Sequence, residues 1–173
     1  MRKNLLWMLA TILFCGAMTT SCGSDDDNDN GKPTSDNTIV GMRIAYGVEF
    51  LDGYDTLTDY TITVTWTDEN GKNVTETITK DFVKDVKLLA TKGTQGTFSV
   101  KMTPTNSAKE EHDLGLNISL VAKPMAANGY VSDNGIITSS LPYMFKGSTG
   151  AGYKEYTYTT KFHFVDNMVK KIE

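Results

Sequence analysis

Tyr60-Thr61-Ile62-Thr63-Val64-Thr65-Trp66-Thr67 alternates large apolar side chains with threonines. A period of two places successive side chains on opposite faces of a strand. Threonine on the wet face and bulky apolar residues on the other are the pattern of an antiparallel sheet with one buried face. Asp68-Glu69-Asn70-Gly71 comes next. Asn-Gly tolerates the positive φ that a tight turn requires. Lys72 to Thr79 then returns as the hairpin partner, with Val74 and Ile78 inward.

The same period extends in both directions. Upstream, Val40, Met42, Ile44, Tyr46, Val48 and Phe50 alternate with Gly41, Arg43, Ala45, Gly47 and Glu49. That is a long half-buried strand whose glycines suit a bend or the close approach of another backbone. Leu51 to Asp59 reads as a polar loop. Asp81 to Gly93 leaves two readings. As a helix, Phe82, Val83, Val86, Leu89 and Ala90 fit the spacing, with Asp81 as N-cap and Gly93 past the end. As a strand, Phe82, Val86, Leu88 and Ala90 share a face, and the neighbouring strands favour this reading.

Further along, Phe98, Val100 and Met102 make a strand that ends near Pro104, before a charged loop from Thr105 to Asp113. Leu114, Leu116, Ile118, Leu120 and Ala122 form an inward face ended near Pro124. Tyr130 to Leu141 is a weaker strand interrupted by Asp133-Asn134-Gly135. Tyr143 to Gly152, with Gly147, Gly150 and Gly152, reads as a mobile loop. Tyr156, Tyr158, Phe162 and Phe164 alternate with Thr157, Thr159, Lys161 and His163, ahead of a short basic tail. Roughly seven or eight strands without a firm helix predict an all-β, single antiparallel β-sandwich of immunoglobulin-like type. A small closed β-barrel is the rival.

The N-terminus has the parts of an export signal. Arg2 and Lys3 precede the apolar run Leu5 to Phe14, and small residues lead to Thr19-Thr20-Ser21-Cys22. The apolar run falls short of the roughly 20 residues that a membrane-spanning helix needs. No later segment of the sequence is long and apolar enough to span, so a membrane hold would come from Cys22. The stretch resembles the cleavage-and-lipidation site of bacterial lipoproteins, with Thr19 in place of the usual Leu. That departure, and Ser24-Asp25-Asp26-Asp27-Asn28 after the cysteine, are similar to surface-exposed lipoproteins of the Bacteroides group. The resemblance implies cleavage before Cys22, lipidation of Cys22, and export to the outer face of the outer membrane. Several acyl chains at about 0.8 kcal/mol per buried CH₂ would anchor the protein durably. The alternatives are a secreted protein cut near Ala17, and an acidic spacer on a protein that faces the periplasm.

These readings divide the chain into a signal peptide (1–21), a lipidated acidic tether (22–37) and a β-sandwich domain (38–173). The tether is made of Gly, Ser, Asp, Asn, Lys, Pro and Thr, with nothing to bury. A flexible chain of that length spans roughly 20 Å. Both cysteines, Cys15 and Cys22, precede the domain. The domain is therefore held without a disulfide. The formal net charge of −4 gives no basis for nucleic-acid binding, which phosphate electrostatics dominate.

Few residues suggest chemistry. His112 lies in Lys109-Glu110-Glu111-His112-Asp113, which reads as a solvated loop tip and not as a metal site, because no second cluster of ligands accompanies it. His163 falls on the threonine and lysine face of its strand. Asp68-Glu69-Asn70-Gly71 lacks the later acidic positions of a calcium loop. Gly147 to Gly152 is not followed by Gly-Lys-Ser/Thr. No nucleophile elbow, His-Glu-x-x-His or Cys/His pair is present. No metal and no cofactor is expected. Tyr143, Phe145 and Tyr153 flank the glycine-rich segment and Tyr130 precedes it; such rings can stack on sugars or anchor a partner protein, or serve as packing residues. Asp55-Thr56-Leu57 resembles the Asp-Ser/Thr-apolar O-glycosylation site of exported proteins in the same bacterial group, which implies an exposed Thr56. The expectation is a non-enzymatic, lipid-anchored cell-surface protein that offers a sandwich to a glycan or a protein. The alternatives are a structural accessory subunit of an outer-membrane or fimbrial assembly, whose sheet edge takes a donated strand, and a hydrolase that uses paired carboxylates.

Overall fold

The computed structural model describes residues 38–105, 111–132, 137–148 and 154–172. Among them the alternating stretches become β1 (Ile39–Phe50), β2 (Tyr60–Thr67), β3 (Asn73–Ile78), β4 (Phe82–Leu89), β5 (Gln95–Pro104), β6 (His112–Ala126), β7 (Ile137–Ser148), β8 (Tyr156–Val165) and β9 (Met168–Ile172). A single turn of helix, α1 (Thr56–Asp59), breaks the connection between β1 and β2.

The strands build two antiparallel sheets, β4-β1-β6-β7 and β3-β2-β5-β8-β9. The sheets face each other as a sandwich and do not close into a barrel. β1 pairs with β4 in one sheet while β2 pairs with β5 in the other. The two pairs interlock, as strands B, C, E and F do in an immunoglobulin domain. The outer strands differ: β6, later in the chain, fills the place beside β1 that a first strand holds there.

The period of two sorts the side chains. Met42, Ile44, Tyr46 and Val48 of β1 meet Ile62, Val64 and Trp66 of β2, Phe98 and Val100 of β5, and Leu114 to Leu120 of β6 in one core. Rings tie the two sheets together: Tyr46 lies 5.1 Å from Phe98, and Trp66 lies 5.1 Å from Phe82, centroid to centroid. The Tyr46 hydroxyl donates to the Thr67 carbonyl across the core at 3.1 Å. Burial pushes its pKa well above the usual tyrosine range.

Of the two readings of Asp81 to Gly93 the favoured one holds, and Phe82–Leu89 is strand. Several other expectations are corrected. β6 runs through Pro124 to Ala126. The Pro124 carbonyl accepts from Ser132 N–H on the β7 side. The missing N–H points the same way, beyond the last β6–β7 pair, Ala122 with Ile137, so no bond to β1 is lost. Tyr143 to Ser148 is not loop but the second half of β7, where every second residue faces a buried residue of β6. The basic tail is strand β9, returned by a turn in which Asp166 and Asn167 both adopt positive φ, 52° and 59°. That is the geometry of a two-residue primed hairpin turn.

The four outer strands each carry a device against pairing with another sheet. Glu76 on β3 stands opposite buried Val64, Lys84 on β4 opposite buried Tyr46, and Lys171 on β9 opposite buried Phe162. Each places a charge on the inward face of an open edge. β7 uses proline instead. Odd-numbered residues of β6 turn their backbone groups toward β1, since Leu51 N–H donates to the Gly115 carbonyl. Pro142 stands opposite Asn117, so its nitrogen faces the open edge and removes a donor there. Pro142→Val restores that donor on a strand with exposed Leu141 and Met144. Light scattering over a concentration series is expected to show the parent chain monomeric and Pro142→Val self-associating. Equal masses at all concentrations would remove proline from this role.

Candidate functional site

The registers define two ends of the sandwich. The chain enters β1 at the proximal end, where the Thr38 carbonyl accepts from Ala127 N–H at 3.0 Å and the Val40 carbonyl from Ala90 N–H at 2.8 Å. β1 then runs 12 residues, about 40 Å at 3.3 Å per residue, to the distal end. There β1 and β7 end, β6 begins, and the connections 51–59 and 79–81 lie.

The aromatic residues singled out in the sequence are split between these ends. Cys22 and Tyr153 lie outside the described residues. Tyr130 is 49% exposed in the proximal turn after β6, where its N–H donates to the Asn128 side chain and its carbonyl accepts from Ala126 N–H. Tyr143 stands opposite Leu116 near the distal end of β7. The run of β6 from Leu116 to Ala126 separates the two by about 33 Å. Tyr143 and Phe145 are half-buried and point inward, against Tyr156 at 6.3 and 5.5 Å. Tyr60 completes the group at 6.1 Å from Phe145 and 6.5 Å from Tyr156. Burial raises the pKa of Tyr143. The Lys154 ammonium lies over Tyr156, 5.3 Å from its centroid. This quartet closes the distal end of the core, its rings packed tilted and edge-to-face.

Thr56 is also corrected. It is not exposed but 2% accessible. Its Oγ1 accepts from Gly115 N–H at 2.8 Å and lies 3.4 Å from the Gly115 carbonyl, to which it donates. Asp59, 1% accessible, accepts from Asp113 N–H at 2.7 Å, and its carbonyl accepts from Thr105 N–H at 2.9 Å. The polar loop of the sequence reading is thus a knot that satisfies the backbone where β1 has ended and β6 continues. In this fold the Thr56 hydroxyl is spent on structure. His112 is 1% accessible at the start of β6, not at a solvated loop tip. Among the described residues no group of three or more His, Cys, Asp or Glu could hold a metal ion. Asp68, in the hairpin turn, accepts from Asn70 and Lys72 N–H at 2.9 and 2.8 Å. The bond from Lys72 leads the causes that hold its carboxyl below the usual range.

The knot positions a residue that the sequence reading passed over. Gly53 turns the chain with φ +85°, and its carbonyl accepts from the Lys146 ammonium of β7 at 2.8 Å. Tyr54 then lies against Gly115 on the outer face of the first sheet. A Cβ on Gly115 would run into the Cβ and Cγ of Tyr54. The signal was Gly115 itself, a lone glycine in a strand, which marks close approach by another group. Across the pair from Gly115 is Met144, 55% exposed. One step along the same face are Asn117, its partner Pro142, and Glu49 of β1. The Asn117 amide donates to the Glu49 carboxylate at 3.5 Å. The site is therefore a half-buried ring, two exposed apolar side chains and a neighbouring amide–carboxylate pair.

Comparison with known proteins found no family model, no curated protein and no solved structure that matches the chain.

Two substitutions test how the site is held. Gly115→Val places methyls where Tyr54 lies and is expected to cost about 1–3 kcal/mol, as overpacking does. Thr56→Val leaves the Gly115 N–H without its acceptor and is expected to cost about 1–3 kcal/mol. Urea unfolding of each variant beside the parent chain reads both effects. Parent-like midpoints would show that the knot does not hold the distal end.

Proposed function

We propose that this chain is a non-enzymatic, lipid-anchored protein of the outer membrane that faces the cell exterior. Its sandwich offers the end remote from the anchor to a glycan or a protein partner. The observation that carries this reading is the placement of the two ends. The described chain begins at Thr38, at the proximal end, so an anchor at Cys22 would join the domain there. The Tyr54 site lies about 40 Å away, at the far end of β1.

The state of the carboxylates supports a non-enzymatic role. At the distal end Asp59 holds the Asp113 N–H, Asp81 accepts from Phe50 N–H at 2.9 Å, and Glu155 pairs with Lys101 at 2.9 Å. Asp59 and Asp81 are thereby committed to backbone N–H groups, whereas paired-carboxylate hydrolysis needs two groups aimed at one bond. The guarded edges weigh against an accessory subunit completed by a donated strand, because addition needs an open, regular edge. The acidic balance of the chain gives no support to a nucleic-acid partner.

Protease added to intact cells is expected to remove the domain, and Cys22→Ser is expected to move it out of the membrane fraction. Survival of the domain until the outer membrane is broken would contradict the outward orientation. A Cys22→Ser protein that stays in the membrane fraction would contradict the anchor.

A further inference from the structure

The outer-face site has the chemistry of a small polar ligand with one apolar side, and we infer that it binds a neutral pyranose unit of a glycan chain. This rests on the binding role proposed above and names its ligand class. The size of the patch limits the occupant. Tyr54, Met144 and Pro142 are too few to cover the roughly 800 Å² that each partner of a stable protein complex contributes. One sugar ring is of the right scale.

The arrangement then matches the two sides of a pyranose. A pyranose has a face of C–H groups and a rim of hydroxyls. Tyr54 packs against Gly115 through its Cβ, Cγ and Cδ2 and is half-buried, so part of its ring remains accessible to the C–H face of a sugar. Asn117 lies two residues along the same face, about 7 Å from Gly115. Its amide and the Glu49 carboxylate supply donors and acceptors side by side, which vicinal hydroxyls can satisfy together. Met144 and Pro142, cross-strand from Gly115 and Asn117, flank the ring with apolar contact. Charge favours a neutral unit: the Glu49 carboxylate and the nearby Lys146 ammonium, which donates to the Gly53 carbonyl, offset one another, so a charged sugar gains no net attraction. The site is held before ligand arrives, since Thr56, Gly115 and Lys146 fix the loop that carries Tyr54.

The test uses residues 22–173 carrying Cys22→Ser, which keeps every described residue. It is applied to an array of neutral hexose oligosaccharides and a matched uronate-containing set, and hits are titrated calorimetrically. Binding of neutral members is expected. Tyr54→Ala and Asn117→Ala are each expected to weaken it about tenfold, the scale of one stacking or polar contact. Tyr54→Phe is expected to retain it, and Tyr130→Ala, at the opposite end, to leave it unchanged. Circular dichroism melts identify any variant that fails to fold; Asn117→Ala, on a paired strand, then carries the test. Parent-like affinity in both Tyr54→Ala and Asn117→Ala would overturn this site while leaving a glycan-binding domain in place. No neutral sugar bound, together with a protein crosslinked to the domain on intact cells, would overturn the sugar and keep the wider binding role. Preference for the uronate set would overturn the assignment of a neutral unit.

Discussion

Two sheets with no disulfide between them stay together only through what their inner faces bury against each other. Residues 38–173 contain no cysteine, so the whole burden falls on packing. The interlock of β1–β4 with β2–β5 meets it. Tyr46 sits at its centre, fully buried, against Phe98 and bonded to the Thr67 carbonyl of the opposite sheet. Each such large side chain contributes about 1.5–3 kcal/mol when withdrawn from water. The polar hydroxyl adds direction, because a buried donor must find its acceptor. The distal loops, the aromatic quartet and the outer-face site all hang on the strands that this core sets.

Much of that core was legible in the sequence. The faces of β1, β2 and β6 follow from alternation alone: Met42 to Val48, Ile62 to Trp66 and Leu114 to Ala122 are buried as their period requires. The hairpin at Asp68 to Gly71 was legible because its chemistry is local. What failed depended on partners distant in sequence. Thr56 looked exposed because its neighbours are polar, yet its hydroxyl serves Gly115, 59 residues away. His112 looked solvated inside a charged run, yet pairing with Ser148 of β7 draws it into the sheet. Tyr143 and Phe145 looked like loop aromatics because glycines follow them; β6 supplies the ladder that makes them strand. The β8–β9 turn was missed because Asp166-Asn167 lacks the usual glycine and still adopts two positive φ values.

The same non-local logic moved the site. The sequence drew attention to rings near the glycine-rich segment, and the described ones are either committed to packing or at the wrong end. Tyr54 came into view because a glycine on a neighbouring strand lets its side chain pack against backbone. Edge protection follows this logic too. Glu76, Lys84 and Lys171 read as ordinary surface charges until the register places them opposite Val64, Tyr46 and Phe162. With its edges closed to strand exchange, a sandwich of this kind is suited to recognition through its loops and faces.

The account turns on which end of the domain faces away from the membrane. With no cysteine in residues 38–173, single substitutions Leu57→Cys at the distal end and Tyr130→Cys at the proximal end give clean reporters. The measurement is labelling of intact cells with a maleimide carried on a protein too large for the roughly 20 Å gap that the tether spans. Fast labelling at Leu57→Cys and shielding at Tyr130→Cys is the predicted result. The reverse pattern, or no labelling at either site until the outer membrane is broken, would contradict the account.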